Sequence, residues 1–329
     1  MHLFKKLFLA IVAFALLASA LVAYWAHRPI LAPGQAPVAF AIEPGSSVRS
    51  STRQVSAAGV PVNPWLLELV ARLSGKATRL KAGNYELKPG SSPMALVDQL
   101  VRGEFAQEAL AVIEGWTFRQ MRAAVAAHPA LKHDTVHLSD KELLAKVAPG
   151  REAAEGLFFP DTYLFAKGSS DLQIYRQAYA LMQKRLDEAW RRRQPDLPYK
   201  NPYEALVMAS IIEKETGQKS ERRMIAAVFV NRLKRGMLLQ TDPTVIYGMG
   251  ERFQGNIRKR DLLTDTPYNT YTRPGLPPTP IALPGAESLE AAMAPAPIEA
   301  LYFVARGNGT SEFSNNLADH NRAVDKYQR

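Results

Sequence analysis

Two glutamates stand close together in YEALVMASIIEKETG, the stretch that follows Asn201-Pro202 and closes at Gly217. Read as a helix of about 100° per residue with Leu206 at zero, Val207, Met208, Ile211 and Ile212 span an arc centred near 150°. Glu215 falls inside that arc at about 180°, while Glu213 falls on the opposite, solvent side. A carboxyl aimed into apolar surroundings has its charged form disfavoured and its pKa raised, as a general acid requires. The same periodicity is compatible with a helix-end Glu215 that frays into water.

Downstream lie two polar, turn-rich stretches, LLQTDPTVIYGMG at Leu238 to Gly250 and DTPYNTYTRPGLPPTPIALPG at Asp265 to Gly285. They place Gln240, Thr241, Asp242, Tyr247, Tyr268, Asn269 and Tyr271 in irregular backbone. Such amides, hydroxyls and aromatic rings suit a saccharide, since rings cover sugar faces while Asn and Gln read hydroxyls and acetamides. Ordered Asx and proline turns with no ligand are the alternative.

Other chemistries fit poorly. His133 and His137 are four apart with Asp134 between them, a partial match to H-E-x-x-H. The stretch follows Pro129 and carries Thr135 and Val136, so a helix presenting both imidazoles is not expected, and neither is a metal. There is no G-x-S-x-G, P-loop or dinucleotide fingerprint, so no cofactor is expected. With no cysteine in 329 residues, thiolate zinc, iron–sulfur clusters, disulfides and a cysteine nucleophile are excluded.

The partner depends on charge and compartment. Lys and Arg total 41 against 31 Asp and Glu, a net charge of +10 that raises nucleic acid first. Residues 7–26, however, form a charge-free apolar run preceded by Lys5 and Lys6 and ending in Tyr24-Trp25. Its length suits one bilayer crossing, with residues 1–6 cytoplasmic and the body outside. Cleavage at Ala18-Ser19-Ala20 is the alternative. Either way the body is exported, so nucleic acid gives way to anionic envelope material.

The elements that position these residues follow. Residues 27–37 read as a Pro/Gly/Ala linker holding the body clear of the membrane. Residues 38–104 read as a small α+β unit: a strand in VAFAIEPGSS, a capped helix in VNPWLLELVARLSG, a second strand, and a helix from Met94 to Arg102. Two Pro-Gly-Ser-Ser turns, at Pro44 and Pro89, suggest a weak internal repeat. Residues 105–329 form a larger mixed α+β unit, with a strand-like ALAVIEGW, a helix in WTFRQMRAAVAAH, an aromatic loop from Glu155 to Phe165, and a long helix from Asp171 to Arg193. The Arg191 to Arg193 run reads as a helix end complementing the dipole.

ASIIEKET at Ala209, NRLKRGMLLQTDPTVIYGMG at Asn231, YNTY at Tyr268, GLPPTPIALPG at Gly275 and LYFVARGNG with NLADHN near the end resemble one family, the YceG-like endolytic murein transglycosylases (MltG). The resemblance covers most of the chain, including the apolar segment, EGLFFPDTY, and residues 38–104, which are similar to a LysM-type glycan-binding module. It implies a catalytic residue at Glu215, the second glutamate of E-K-E-T. It also implies cleavage of the β-1,4 bond between N-acetylmuramic acid and N-acetylglucosamine in nascent strands, leaving 1,6-anhydro ends and terminating elongation. Gln240, Thr241, Asn269 and Tyr271 are expected to bind substrate, with Tyr247 and Glu155 beside them. Asp242, the nearest candidate for a second acid, is expected instead to orient loop backbone, and His320 to be a buried, hydrogen-bonded histidine, with a site residue as the alternative. The implied setting is the inner membrane facing the periplasm, with peptidoglycan and its synthases, the penicillin-binding proteins, as partners.

Overall fold

The computed structural model describes residues 2–215 and 218–328. Thr216 and Gly217, the expected stop of the Glu215 helix, lie outside the described residues. The chain divides into two compact units, Met1–Glu108 with Phe165–Lys167, and Ala109–Leu164 with Gly168–Arg329.

The first unit begins with α1 (His2–His27), long and apolar enough to cross a membrane from Phe4 to His27. Then follow β1 (Val38–Ile42), α2 (Val48–Ala57), α3 (Pro64–Leu73), β2 (Gly83–Leu87) and α4 (Pro93–Arg102). The strands pair antiparallel, Val38 opposite Leu87 and Ile42 opposite Gly83. Phe40 stacks on Tyr85, centroids 5.4 Å apart, over a core that includes Leu67, Val70, Leu96 and Leu100. The two Pro-Gly-Ser-Ser turns do the same job twice. Each follows a strand, turns at a glycine with positive φ (Gly45, Gly90), and ends in a serine, Ser47 or Ser92, that accepts the N-terminal amide of the next helix.

The expected linker is no spacer. Ile30 N–H donates to Ser91 O at 2.8 Å, Gly90 N–H donates to Leu31 O at 3.0 Å, and Leu31 and Ala26 are buried in the core of this unit. Apolar Ile30 and Leu31 make the difference, because they have a core within reach.

The second unit contains most of β3 (Gln107–Ala111) and of β4 (Thr162–Ala166), together with α5 (Phe118–Ala127), α6 (Asp140–Val147), α7 (Asp171–Arg191), α8 (Pro202–Glu215), α9 (Arg222–Lys234), α10 (Asp242–Met249), α11 (Lys259–Leu263), α12 (Ala286–Met293), β5 (Tyr302–Ala305), β6 (Ser311–Ser314) and α13 (Leu317–Tyr327). β3 pairs with β4, and β5 pairs antiparallel with β6. The end of the expected aromatic loop is therefore a strand, Thr162–Ala166, whose alternating burial puts Tyr163 and Phe165 inside. The segment from Asp242 to Met249, expected to be irregular, is helical because Pro243 sits in the first turn, where its fixed φ favours a helix. At the end of α7, Arg193 donates to Trp190 O at 2.9 Å, as a basic helix end should.

α8 is the axis of this unit. Every residue from Ala205 to Ile212 is buried, with α7, α9, α10 and α12 packed around it. Ser210 makes that burial possible: its hydroxyl donates to Val207 O at 2.7 Å and accepts Ile281 N–H at 3.0 Å, tying the proline-rich loop to the helix.

Candidate active site

A cleft of about 1050 Å³ opens at the end of α8. Glu215, Arg232, Gln240, Asp242, Tyr271 and His320 line it, with Tyr302 and Asn321 beside them. Glu215 is half-buried, and its Oε2 accepts a hydrogen bond from the Thr241 hydroxyl at 2.8 Å. Burial pushes its pKa up. The Thr241 bond and the nearby Arg232 cation oppose the shift, and the Asp242 charge adds to it.

Thr241 is held at both its amide and its carbonyl. Its amide donates to Thr270 Oγ1 at 3.1 Å, its carbonyl accepts from Thr244 Oγ1 at 2.7 Å, and the two supporting hydroxyls are 2.9 Å apart. Gln240 lies between buried Leu239 and buried Thr241 at φ 50°, a left-handed conformation that costs a non-glycine residue about 1 kcal/mol. Its own amide donates to Thr270 O at 3.1 Å, and the side chain is exposed at the cleft.

Arg232 is buried against carbonyls, with Nε donating to Leu301 O at 2.6 Å and Nη1 to Leu239 O at 2.8 Å. Its guanidinium lies 5.0 Å from the Tyr302 ring centroid, and the His320 ring stacks on that tyrosine at 5.1 Å. His320 is thus a cleft residue rather than a fully buried one. Its Nδ1 is buried without a hydrogen-bond partner, and desolvation lowers its pKa. The sequence signal for Arg232 is its place in IAAVFVNRL, four residues after buried Val228 and three after buried Phe229.

Asp242 and Tyr271 meet across the cleft mouth, where the phenol O–H donates to Asp242 Oδ1 at 2.6 Å. Asp242 therefore orients a side chain instead of the expected loop backbone. Asn269, expected to face substrate, sits behind the wall. It is fully buried, its Nδ2 donates to Leu262 O at 3.0 Å and Thr264 O at 2.7 Å, and its Oδ1 accepts Tyr271 N–H at 2.8 Å. Its amide is spent on holding the loop.

Tyr247 and Glu155 come together in a cluster of their own and are not among the cleft-lining residues. The Tyr247 hydroxyl donates to Glu155 Oε2 at 3.2 Å, and Phe118 N–H donates to Oε1 at 2.9 Å. Burial pushes the Glu155 carboxyl up to about 7. Tyr268 packs edge-on against Tyr247 at 4.9 Å and pairs with the Thr279 hydroxyl at 2.9 Å. His133 and His137 lie outside any helix, and Asp134 pairs with Lys132 at 2.9 Å.

Glu213 corrects the expectation of a surface residue. Its side chain is only 6% exposed, 3.5 Å from the equally buried Arg222, and its Oε2 accepts Gly285 N–H at 3.0 Å. The helical-phase argument fails because a helix buried all round has no solvent side. Gly285 permits the packing: a Cβ there would come within 1.9 Å of Glu114 Oε1.

The fold and the site define a mixed α+β protein whose cleft presents one half-buried carboxyl with a raised pKa. The chain belongs to the YceG-like family, whose model matches residues 40–326. It is 33% identical over 275 residues to the endolytic murein transglycosylase of Bacillus subtilis (strain 168), covering 76% of this chain and 74% of that one. It is 29% identical over 331 residues to the endolytic murein transglycosylase of Streptococcus pneumoniae (strain D39), covering 90% of this chain and 59% of that one. A crystal structure of a YceG-like protein from Listeria monocytogenes aligns with TM-score 0.52 and 29% identity, over 88% of this chain and 99% of that one.

Proposed function

We propose that this protein is an endolytic murein transglycosylase, a lyase cutting the N-acetylmuramic acid to N-acetylglucosamine bond inside peptidoglycan strands, with Glu215 as its acid and base. The observation that carries this is the division of labour among the three carboxylates lining the cleft, Glu215, Glu221 and Asp242. Glu221 is buried and accepts both the amide and the hydroxyl of Ser311, at 2.7 and 2.8 Å. Asp242 is exposed and holds Tyr271. Glu215 has its pKa raised by burial and accepts a single neutral donor, the Thr241 hydroxyl.

Glycosidases that use water or form a glycosyl-enzyme commonly need a second carboxylate. Closure by the substrate's own hydroxyl does not. Protonated Glu215 gives its proton to the glycosidic oxygen as the C1–O bond breaks. The muramic C6 oxygen then bonds to C1, and its proton passes to the Glu215 carboxylate, restoring the enzyme without consuming water. Gln240 and Tyr271 face the sugars in this reading, with Thr241 setting the carboxyl. Asn269 positions Tyr271, and Tyr247 with Glu155 braces the neighbouring wall.

In the same reading α1 is a membrane anchor with its N-terminus in the cytoplasm, and the body acts on nascent strands outside it as a terminase beside peptidoglycan synthases. The β1-α2-α3-β2 order of the small unit supports a LysM-like glycan-binding role. Mass spectrometry of fragments released from purified murein by the detergent-solubilised chain tests the central claim. Anhydro ends from the unmodified protein and none from Glu215→Gln are expected. Reducing ends would make the protein a hydrolase, and fragments from neither would leave a binding scaffold.

A further inference from the structure

We propose that α3 is a membrane-interface helix. Its outer stripe, Trp65, Leu66, Leu69 and Leu73, is buried in the lipid leaflet that surrounds the body-side end of α1, and lipid chains fill the groove between the two helices. The proposal rests on α1 being a membrane anchor.

Three observations carry it. The first is that the apolar helix enters the fold. Ala18, Val22, Trp25 and Ala26 recur on one face of α1, and Val22, Trp25 and Ala26 pack into the same core as Leu67 and Val70 of α3. With Ile30 and Leu31 bound to the β2–α4 turn, no free tether separates the span from this unit.

The second is that α3 is apolar on two sides. Leu67, Val70 and Ala71 face the core. Trp65, Leu69 and Leu73 follow at four-residue spacing on another side, and Trp65 is 67% and Leu73 73% exposed. A water-facing surface helix carries charged or polar residues on that side. PWLLELVARL carries only Glu68 and Arg72, which pair with each other at 2.7 Å along one edge of the stripe.

The third is depth. A groove of about 400 Å³ is walled by Ala18, Ser19, Val22 and Ala23 of α1 and by Leu69 and Leu73 of α3. At about 1.5 Å rise per residue, some 20 residues cross the hydrocarbon. Counted from Leu7, the stretch from Ala18 to Ala26 occupies roughly the last 12 Å of that crossing, whichever way α1 runs. One wall of the groove is therefore set at lipid depth by the anchor itself, and the wall facing it belongs to α3. Apolar α3 side chains gain burial there, and an indole such as Trp65 favours the headgroup layer.

The absence of cysteine makes the test direct. Leu73→Cys in the full chain gives a single nitroxide site, to be reconstituted in phosphatidylcholine/phosphatidylglycerol vesicles and read by electron paramagnetic resonance power saturation with oxygen and a water-soluble nickel chelate. Leu17→Cys within the span and Glu251→Cys on an exposed turn are the references. The expected result is that Leu73→Cys resembles Leu17→Cys, with oxygen collisions several-fold more frequent than nickel collisions. A Leu73→Cys signal like that of Glu251→Cys would overturn the proposal by placing the stripe in water. Protection from both reagents would overturn it by showing a protein surface over the stripe. A water-like signal at Leu17→Cys would instead remove the anchor on which the proposal stands.

Discussion

The Glu215 carboxylate and the Thr241 hydroxyl are 2.8 Å apart, joining the end of α8 to the residue that precedes α10. Because the hydroxyl donates, it favours the ionised carboxylate and restrains the rise in pKa that burial imposes. Thr241→Val removes the donor at constant shape. The Glu215 pKa is then expected to rise further, because the hydrogen bond that favours the carboxylate is gone. Since the reaction needs the protonated acid, the alkaline limb of kcat/KM should move to higher pH. Asp242→Asn removes a charge that raises the same pKa and should move the limb to lower pH. A pH profile unmoved by either change would dissociate Glu215 from the rate.

Glu213 and Arg222 make a buried pair that no active-site role requires. Glu213→Gln keeps an acceptor for Gly285 N–H but leaves Arg222 with Glu287 as its remaining carboxylate partner. A loss of about 1–3 kcal/mol in urea unfolding is expected, with turnover retained at temperatures where the protein stays folded. Adding Arg222→Met should recover part of the loss, because the buried cation that lost one of its two carboxylate partners is then gone. Complete loss of turnover in a folded Glu213→Gln protein would contradict this assignment.

These two glutamates also mark what the sequence could and could not reveal. Their helix, its start after Pro202 and the apolar content of its middle are local properties and readable. What separates Glu215 from Glu213 is the partner each one meets, Thr241 in one case and Arg222 with Gly285 in the other, and those partners are brought in by the folding of distant segments. Periodicity cannot choose between faces of a helix with no exposed face. A different limit hid α2, whose polar VRSSTRQVSA buries Ser51 and Thr52 by turning their hydroxyls back onto Ser47 O and Arg49 O. Nor was α6 anticipated, although its start carries a sequence signal, the capping box from Ser139 to Glu142. The Asn269 amide looked like a ligand group because its sequence neighbours are polar, whereas its partners are backbone carbonyls that no sequence pattern displays.

Glu155 makes stability depend on pH. Its folded pKa of about 7 lies above the ordinary value of 4.5, so the native state holds a proton that the unfolded chain releases between those values. Stability from this group is therefore full below about pH 4.5, falls as pH rises through 7, and levels off above. The total change is up to about 3 kcal/mol. Glu155→Gln resembles the protonated form and should flatten the profile, matching the parent protein near pH 4 and exceeding it at pH 8. Unfolding midpoints of the two proteins across that range check this, and parallel profiles would show that Glu155 is ionised in the native state.

Asn269 discriminates between a residue that touches sugar and one that holds a loop. Its Oδ1 fixes Tyr271 N–H, and Tyr271 in turn reaches Asp242, so the amide acts on the cleft through the tyrosine. Asn269→Asp keeps that acceptor but turns a second oxygen toward the carbonyls of Leu262 and Thr264, exchanging two hydrogen bonds for repulsion inside a buried site. A loss of roughly 2–4 kcal/mol is expected, as for other broken buried networks. Asn269→Ala, which leaves the same two carbonyls unpaired, should lose a similar amount. Direct recognition of the acetamide would instead raise KM at unchanged stability, because removing a ligand contact leaves the free protein intact. Unfolding midpoints and steady-state constants measured on the same samples separate the two outcomes.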